Sequence, residues 1–147
     1  MIVEGAIIGR EVECGVLEFP NGDVKASVVA EIRMPDSDAD SDAFYDFDTK
    51  YLDDVCEFDI PRETRRVGER SDQGACCPRV QGTRLPGTLA VDFFVTADGP
   101  VINEINTMPG FTSISMYPKM WNATGIDYRT LISTLVDTAV ARGTGLR

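Results

Sequence analysis

Hydrophobic and polar residues alternate along the first part of the chain with the period of two that is typical of a half-buried β-strand. Residues 1–18 show this pattern on both sides of Gly9, which predicts a strand, a turn at Gly9 and a second strand. In the second strand, apolar positions alternate with small or acidic ones: Val12, Cys14 and Val16 with Glu11, Glu13 and Gly15. The segment ASVVAEIRM, which ends at Met34, predicts a third strand.

Residues 89–106 carry the same alternation in two halves. LAVDFFVT and VINEIN predict two strands, and the intervening ADGP predicts the turn of an antiparallel hairpin. In TLISTLVDTAVAR the apolar residues recur every three or four positions, which predicts a docking helix that ends at Gly143. The side chains expected to face the core are Leu131, Ile132, Leu135, Val136 and Ala139.

The middle of the chain has no sustained pattern. Residues 35–42 are rich in Asp, Ser and Ala and predict a solvated loop. A calcium-binding loop is excluded there, because Ser41 stands where glycine is required and Phe47 where the bidentate glutamate is required. A helix is predicted to begin within residues 61–67. Glycine and proline interrupt residues 68–88, where no stable helix is expected.

Composition places the chain among globular proteins, since 147 residues with 43% hydrophobic content suffice for one domain with a core. The 24 acidic and 14 basic residues give a formal net charge of -10, which repels phosphate backbones and anionic lipids. Nucleic acid and membranes are therefore not expected as partners. Because the sequence shows neither a cationic leader nor an apolar run of roughly 20 residues, a cytoplasmic location is expected.

The residue types available restrict the possible chemistry. The chain has no histidine, and its cysteines form no C-x-x-C pair, so reduced thiols are expected rather than a zinc site. Catalysis would have to rest on carboxylates, lysine, arginine, backbone amides or a metal ion. The cysteines are Cys14, Cys56, Cys76 and Cys77.

The hairpin brings together residues suited to a metal ion. Side chains two apart in a strand share a face, so Glu104 and Asn106 point the same way and Asp92 on the facing strand can join them. Two carboxylates and an amide oxygen are hard ligands that suit magnesium shared with substrate phosphates. The alternative interpretation is that these residues line the polar face of a half-exposed hairpin.

The loop that follows the hairpin, NTMPGFTSIS, contains Pro109, Gly110 and several hydroxyl side chains. Such a loop exposes backbone amides, which can stabilise a developing oxyanion in acyl transfer. The alternative interpretation is a plain turn.

The segment VDFFVTADGPVINEINTMPGFTSISMYPKMW resembles the signature of the D-alanine:D-alanine ligase family. VEGAIIGREVECGVLE and FYDFDTKYLDD are similar to two earlier blocks of that family, in the same order. The resemblance implies the ATP-grasp fold, an α+β architecture in which helices pack on an antiparallel sheet. It also implies that residues 1–147 are an ATP-grasp domain fragment, and that the family's N-terminal domain would precede Met1.

The resemblance implies ATP-driven joining of two D-alanines through an acyl phosphate, for peptidoglycan synthesis. ATP and two Mg²⁺ ions, or Mn²⁺, would be the cofactors, and full-length relatives would be homodimers. The SMYP sequence with a Lys-Tyr loop is more similar to dipeptide ligases than to depsipeptide ligases.

Roles follow from the resemblance position by position. It implies metal ligation by Asp92, Glu104 and Asn106. It implies contacts to the nucleotide by Glu4, Ile7, Glu11 and Lys50. It assigns catalytic roles to Gly110, as an oxyanion donor, to Lys50 and to Tyr51, which with Tyr45 belongs to a closing loop. It implies that the carboxylate of the second substrate is held by Ser115 and Met116.

Two departures from the family stand out. Ala90 occupies the position of an arginine that stabilises transition-state charge, and residues 68–88 replace an amphipathic helix. One choice of synonymous codons for residues 71–89, read one base out of register, encodes such a helix, so a frameshift would explain both departures; a divergent loop is the alternative. The leading hypothesis is therefore a damaged or incomplete ligase sequence, and the alternative is a non-catalytic remnant or pseudogene product that binds magnesium and nucleotide.

Overall fold

A computed structural model describes residues 3, 5–33, 57–60 and 87–143. The described residues form one five-stranded antiparallel sheet with the strand order β3-β2-β1-β4-β5, and two helices follow it. The elements are β1 (Arg10–Glu18), β2 (Val24–Arg33), β3 (Glu57–Asp59), β4 (Thr88–Thr96), β5 (Gly99–Asn106), α1 (Met116–Ala123) and α2 (Tyr128–Arg142).

The sheet has two different faces, because side chains alternate along each strand. One face carries a buried aliphatic and aromatic cluster made of Val12, Cys14, Val16, Val29, Leu89, Val91 and Phe93. The other, which we call the helix face, carries Leu17 and Ala90 against Tyr117 and Trp121 of α1 and Leu131 of α2. The candidate site lies on this helix face.

Small residues let α1 approach the sheet closely. Gly15 on β1 lies opposite Ala90 on β4. A Cβ atom on Gly15 would lie 2.9 Å from Trp121 Nε1 and 3.1 Å from both Ser27 Oγ and Tyr117 Cε2. No larger residue fits there without moving the helix. The Tyr117 hydroxyl donates to the Val16 carbonyl (2.8 Å), and burial raises the pKa of that hydroxyl.

Local contacts define both ends of α2. The Asp127 carboxylate accepts a hydrogen bond from the Thr130 amide (2.7 Å), which caps the helix and lowers the pKa of Asp127. The helix ends at Gly143, whose φ is 71°. Near that end, the Thr138 hydroxyl donates to the Glu18 carbonyl (3.0 Å) and Arg142 pairs with the Glu18 carboxylate. These contacts attach α2 to the end of β1.

Most of the predicted elements are confirmed. The third predicted strand is β2, and the predicted hairpin is β4 and β5, joined through Ala97 and Asp98. The antiparallel sheet with packed helices and the end of α2 at Gly143 are also as predicted. The strand expected before Gly9 is wrong: residues 5–8 have no regular structure, because no described strand pairs with them, and Ile8 is 94% exposed.

Two further expectations about the helices were incomplete or wrong. The segment MYPKMWNA forms α1, although no helix was predicted for it; Pro118 in its first turn is compatible with a helix start. In α2 the buried side chains are Leu131 and Thr138, and Leu135 packs partly buried against the same cluster, whereas Ile132, Val136 and Ala139 are exposed. The contacts of Thr138 and Arg142 with Glu18 fix this rotation of the helix.

The predictions made for residues 35–42, 61–67 and 68–86 lie outside the described residues, as do Cys56, Cys76 and Cys77. Cys14 is a buried thiol on β1. In the part of the chain that the structure describes, no helix is long and apolar enough to cross a membrane.

Candidate functional site

The predicted metal ligands share the helix face of the sheet. Asp92 on β4 lies directly opposite Glu104 on β5, and Ala90, two residues before Asp92, lies opposite Asn106. Residues paired directly across an antiparallel ladder project to the same side. Asp92, Glu104 and Asn106 therefore lie on one face. Asn103 is an extra residue in β5, and this register shift brings Glu104 opposite Asp92, because unbroken pairing from Thr96 and Gly99 would pair Asp92 with Asn103.

Glu13 extends this arrangement to a third strand. It lies opposite Asp92 on the other side, so the carboxyl-bearing residues Glu13, Asp92 and Glu104 form a row across β1, β4 and β5. Like charges directly opposite each other in a sheet are destabilising, and a cation reduces that repulsion. Glu13 was not among the predicted site residues, although its position in the β1 alternation placed it on the same face as Glu11.

Among the described residues, no three histidine, cysteine, aspartate or glutamate side chains are grouped closely enough to hold a metal ion by themselves. The predicted ligand set has a different composition, with two carboxylates and one amide. Its chemistry suits magnesium, which takes few protein oxygens and keeps water or substrate oxygens in its remaining positions.

The predicted nucleotide residues that the structure describes lie toward the start of β1. Glu11 is partly buried on the helix face and lies opposite Phe94, and Ile7 is 45% exposed just before the strand. Along this face the order is Glu11, then Asp92 with Glu104, then Asn106. At about 3.3 Å per residue, the face from Arg10 to Gly15 is roughly 17 Å long.

Asn106 is the last residue of β5 and directly precedes the loop. Its side-chain oxygen accepts a hydrogen bond from the Met108 amide (2.9 Å), a turn in which the side chain mimics a backbone carbonyl. This contact fixes the direction in which the chain leaves the sheet. The oxygen retains a second lone pair that a cation could use.

The loop brings Gly110 and Ser115 together. Ser115 Oγ accepts from the Thr112 amide (2.9 Å) and lies 2.8 Å from the Thr112 hydroxyl, while the Ser115 amide donates to the Thr112 carbonyl (3.2 Å). A Cβ atom on Gly110 would lie only 2.7 Å from Ser115 Oγ. Only glycine, which has no Cβ atom, lets the backbone at position 110 come this close to the Ser115 side chain. Thr112 was not among the predicted site residues. Its position three residues before Ser115 is the one feature of the sequence that could have indicated this contact.

Burial of its side chain leaves Met116 only its backbone with which to contact a ligand. It is the first residue of α1, and its side chain is buried with Ala30 and Met120. The Ser115 side chain does not cap the helix. The first amides of a helix have no partner within it and attract anions, so this end of α1 suits a carboxylate.

Aromatic contacts attach the loop to α2. The rings of Phe111 and Tyr128 lie with their centroids 6.4 Å apart, and the Tyr128 hydroxyl donates to the Phe111 carbonyl (3.1 Å). Phe111 also packs on Tyr117, with centroids 5.5 Å apart. No local sequence signal indicated Tyr128, because the contact joins residues far apart along the chain.

Ala90 stands where the family resemblance placed an arginine. It is 3% exposed and lies in the cluster with Tyr117, Trp121 and Leu131. The described site therefore has no cation at this position. Glu4, Lys50 and Tyr51, with Tyr45, lie outside the described residues.

Comparison with known proteins identifies the family. The family model described as "D-ala D-ala ligase C-terminus" matches residues 1–137. The chain belongs to the D-alanine–D-alanine ligase family. A D-alanine–D-alanine ligase of Rhodococcus erythropolis (strain PR4 / NBRC 100887) is 78% identical over 147 residues, which cover 100% of this chain and 40% of the relative.

Solved structures show the same relationship. The D-alanine-D-alanine ligase from Coxiella burnetii has a TM-score of 0.68 at 34% identity, over 95% of this chain and 34% of that one. The VanG D-Ala:D-Ser ligase from Enterococcus faecalis has a TM-score of 0.64 at 31% identity, over 90% of this chain and 37% of that one. The α+β fold of the C-terminal ATP-grasp portion is thereby confirmed. The chain spans about 40% of the length of the curated relatives it matches.

Proposed function

We propose that this chain is the C-terminal portion of an ATP-dependent ligase that joins two D-alanines through an acyl phosphate for peptidoglycan synthesis. Residues 1–147 would supply part of the nucleotide site, the metal ligands and the contacts to the second D-alanine. The complete enzyme would act in the cytoplasm on ATP and D-alanine, as a homodimer.

The observation that carries this proposal is the order of positions along the helix face. Along that face Glu11 precedes the Asp92–Glu104 pair, Asn106 leads into the loop with Gly110, and Ile7 lies in the segment that enters β1. A nucleotide extended along this face would meet residues proposed for its base, its ribose and its phosphates in that order. Its terminal phosphate would then lie toward the loop proposed to hold the second substrate.

Asp92, Glu104 and Asn106 would hold the divalent ions, two Mg²⁺ or Mn²⁺, with substrate oxygens completing their coordination. When bound, these ions supply charge neutralisation for phosphoryl transfer. The two carboxyl-bearing residues lie opposite each other at that position of the sheet, and the turn at Asn106 sets the direction in which the loop leaves it.

The loop and the start of α1 would bind the second substrate. The amide of Gly110 would donate to the oxyanion that develops when the amine attacks, and the amide of Met116 with the Ser115 side chain would hold a carboxylate. Thr112 and Tyr128 orient these groups through their contacts with Ser115 and Phe111.

One observation favours the alternative, a non-catalytic portion that binds magnesium and nucleotide. Ala90 is buried beneath Tyr117 and Trp121 and cannot stabilise transition-state charge as a guanidinium would. An arginine in that role can increase the rate by about 10³ to 10⁵. Nucleotide could then bind without turnover.

A chimaera tests the two functions. Residues 1–147 would replace the matched 40% of the Rhodococcus erythropolis ligase. An active ligase releases phosphate from ATP only when D-alanine is added, and forms the dipeptide in equal amount. A nucleotide signal that is independent of D-alanine, without dipeptide, would support the non-catalytic alternative and contradict ligase activity.

Sequencing the DNA that encodes residues 60–95 tests the frameshift hypothesis separately. A reading frame that encodes an amphipathic helix and places arginine before Val91 would support the frameshift hypothesis. A stop codon in that register would exclude it, and Ala90 would then be the genuine residue.

A further inference from the structure

The side chain of Ser115 turns back toward the loop instead of capping α1. Ser115 is the N-cap residue of α1, a position where a serine oxygen commonly accepts from the amide of the second or third helical residue. It makes no such bond, and the third helical residue is Pro118, which has no N–H to donate. Asp127, the N-cap residue of α2, does accept from the amide of its third helical residue, Thr130 (2.7 Å). The Ser115 hydroxyl therefore has a role other than capping.

Thr112 is the residue that engages the Ser115 oxygen. The Thr112 amide donates to Ser115 Oγ (2.9 Å), and the two hydroxyl oxygens lie 2.8 Å apart, where either can be the donor. The Ser115 amide donates in turn to the Thr112 carbonyl (3.2 Å), so the backbone holds the pair together. A serine hydroxyl has two acceptor lone pairs and one proton. When Thr112 donates through both its amide and its hydroxyl, it occupies both lone pairs and leaves the Ser115 proton for a ligand.

The direction of the bond between the two hydroxyls decides what Ser115 can bind. If Ser115 donates to Thr112, its proton is used within the loop and a lone pair is left for the ligand, which repels a carboxylate. If Thr112 donates to Ser115, the Ser115 proton can be donated to a carboxylate oxygen, and such charge-assisted bonds are strong. The Ser115 hydroxyl also lies close to the backbone of Gly110, since a Cβ atom there would be 2.7 Å from Ser115 Oγ.

We propose that Thr112 is a positioning residue that makes Ser115 a hydrogen-bond donor to the carboxylate of the second substrate. This inference rests on the proposed function, which assigns that carboxylate to Ser115 and Met116. Thr112 acts through Ser115 and does not itself contact the substrate. Because the Ser115 lone pairs are occupied, the loop favours a ligand group that only accepts hydrogen bonds, and a carboxylate is preferred to a carboxamide.

Binding of the dipeptide product, D-alanyl-D-alanine, tests the inference without requiring turnover, because its terminal carboxylate takes the place of the second substrate's. The dissociation constant would be measured by calorimetry on the chimaera with ADP and Mg²⁺ present. Thr112→Val keeps the shape of the side chain without its hydroxyl and should raise the dissociation constant by about tenfold or more. Thr112→Ser keeps the hydroxyl and should stay within about threefold of the parent. Ser113→Ala, which removes an exposed hydroxyl from the same loop, is the matched control and should change it by less than about twofold.

Two comparisons separate this role from a general effect on the structure of the loop. D-alanyl-D-alaninamide carries a carboxamide in place of the carboxylate, and Thr112→Val should weaken its binding by less than about threefold. The preference for the acid over the amide should therefore fall. In a Ser115→Ala background, Thr112→Val should change the binding of D-alanyl-D-alanine by less than about twofold, because the side chain through which Thr112 acts is gone.

An unchanged dissociation constant in Thr112→Val would overturn this inference while leaving the proposed function in place. So would an equal loss of affinity for the acid and the amide, or a full effect of Thr112→Val in the Ser115→Ala background. A parent chimaera that does not bind D-alanyl-D-alanine at all would overturn the proposed site for the second substrate, and this inference with it.

Discussion

Asp92 and Glu104 face each other across the β4–β5 ladder, with both side chains on the face that α1 and α2 cover farther along. Like charges directly opposite each other destabilise a hairpin. A cation held at the proposed metal site would reduce this repulsion. The first prediction follows from this pair.

Neutralising one ligand should weaken the response to metal. Glu104→Gln or Asn106→Asp in the chimaera should change the Mg²⁺ concentration needed for half-maximal D-alanine-dependent phosphate release, with Glu104→Gln raising it by about tenfold or more. Asp98→Asn removes the same charge at the exposed hairpin turn and should leave the value unchanged. An unaltered magnesium response in both Glu104→Gln and Asn106→Asp would remove the hairpin from the metal site.

The contact between Gly110 and Ser115 predicts a coupled effect. Gly110→Ala should disorder the loop, because its Cβ would lie 2.7 Å from Ser115 Oγ. Added to Ser115→Ala, the same substitution should cost less, since the hydroxyl is gone and the nearest remaining atom, the Ser115 Cβ, is 3.5 Å away. A double-mutant cycle on the KM for D-alanine and on unfolding would measure the coupling, and purely additive effects would contradict the proposed contact.

The close approach of α1 to the sheet predicts a large cost for a single methyl group. Gly15→Ala should lower the free energy of unfolding by about 1 to 3 kcal/mol, because the added carbon meets Trp121, Ser27 and Tyr117. Gly5→Ala, which has no atom within 4 Å of its added carbon, is the control. Urea unfolding followed by Trp121 fluorescence would measure both, and equal stability of the two variants would refute the packing.

The ion pair between Glu18 and Arg142 predicts a pH dependence. Arg142 holds the pKa of Glu18 below its ordinary value, so the stabilisation is present above the unfolded pKa of about 4.3 and is lost as the pH falls through the folded pKa. Because the Arg142 side chain is 40% exposed, its coupling to Glu18 should be only about 0.5 to 1 kcal/mol.

Glu18→Gln tests this pH dependence. The difference in urea midpoint between the parent chain and the variant should be largest near neutral pH and should shrink below about pH 4.3. A difference that is the same at pH 7 and at low pH would show that the charge of Glu18 does not contribute.

The rotation of α2 about its axis predicts that substitutions on its buried side cost much more stability than substitutions on its exposed side. Leu131→Ala should destabilise the 147-residue chain by about 2 to 5 kcal/mol, since Leu131 is fully buried. Val136→Ala should change the same chain by no more than about 0.5 kcal/mol, since Val136 is 56% exposed. Chemical denaturation of the two variants would decide between this orientation and the one predicted from the sequence, in which both residues face the core.

The sequence by itself determined the hairpin and the shared face of Glu104 and Asn106, whereas the register shift at Asn103 put Asp92 on that face. Alternation has a period of two, so Glu104 and Asn106 were bound to lie on one side of β5. The end of α2 at Gly143 was equally local, because glycine readily adopts positive φ. These features depend only on neighbouring residues.

Only the tertiary structure decided which side of α2 is buried and that MYPKMWNA forms a helix. The apolar residues of α2 occupy more than one side, and long-range contacts of Thr138 and Arg142 with Glu18 selected among them. Likewise, α1 is held by the gap that Gly15 and Ala90 leave in the sheet. Glu13 joined the acidic row through strand pairing, a relationship between distant segments that periodicity along one strand does not contain.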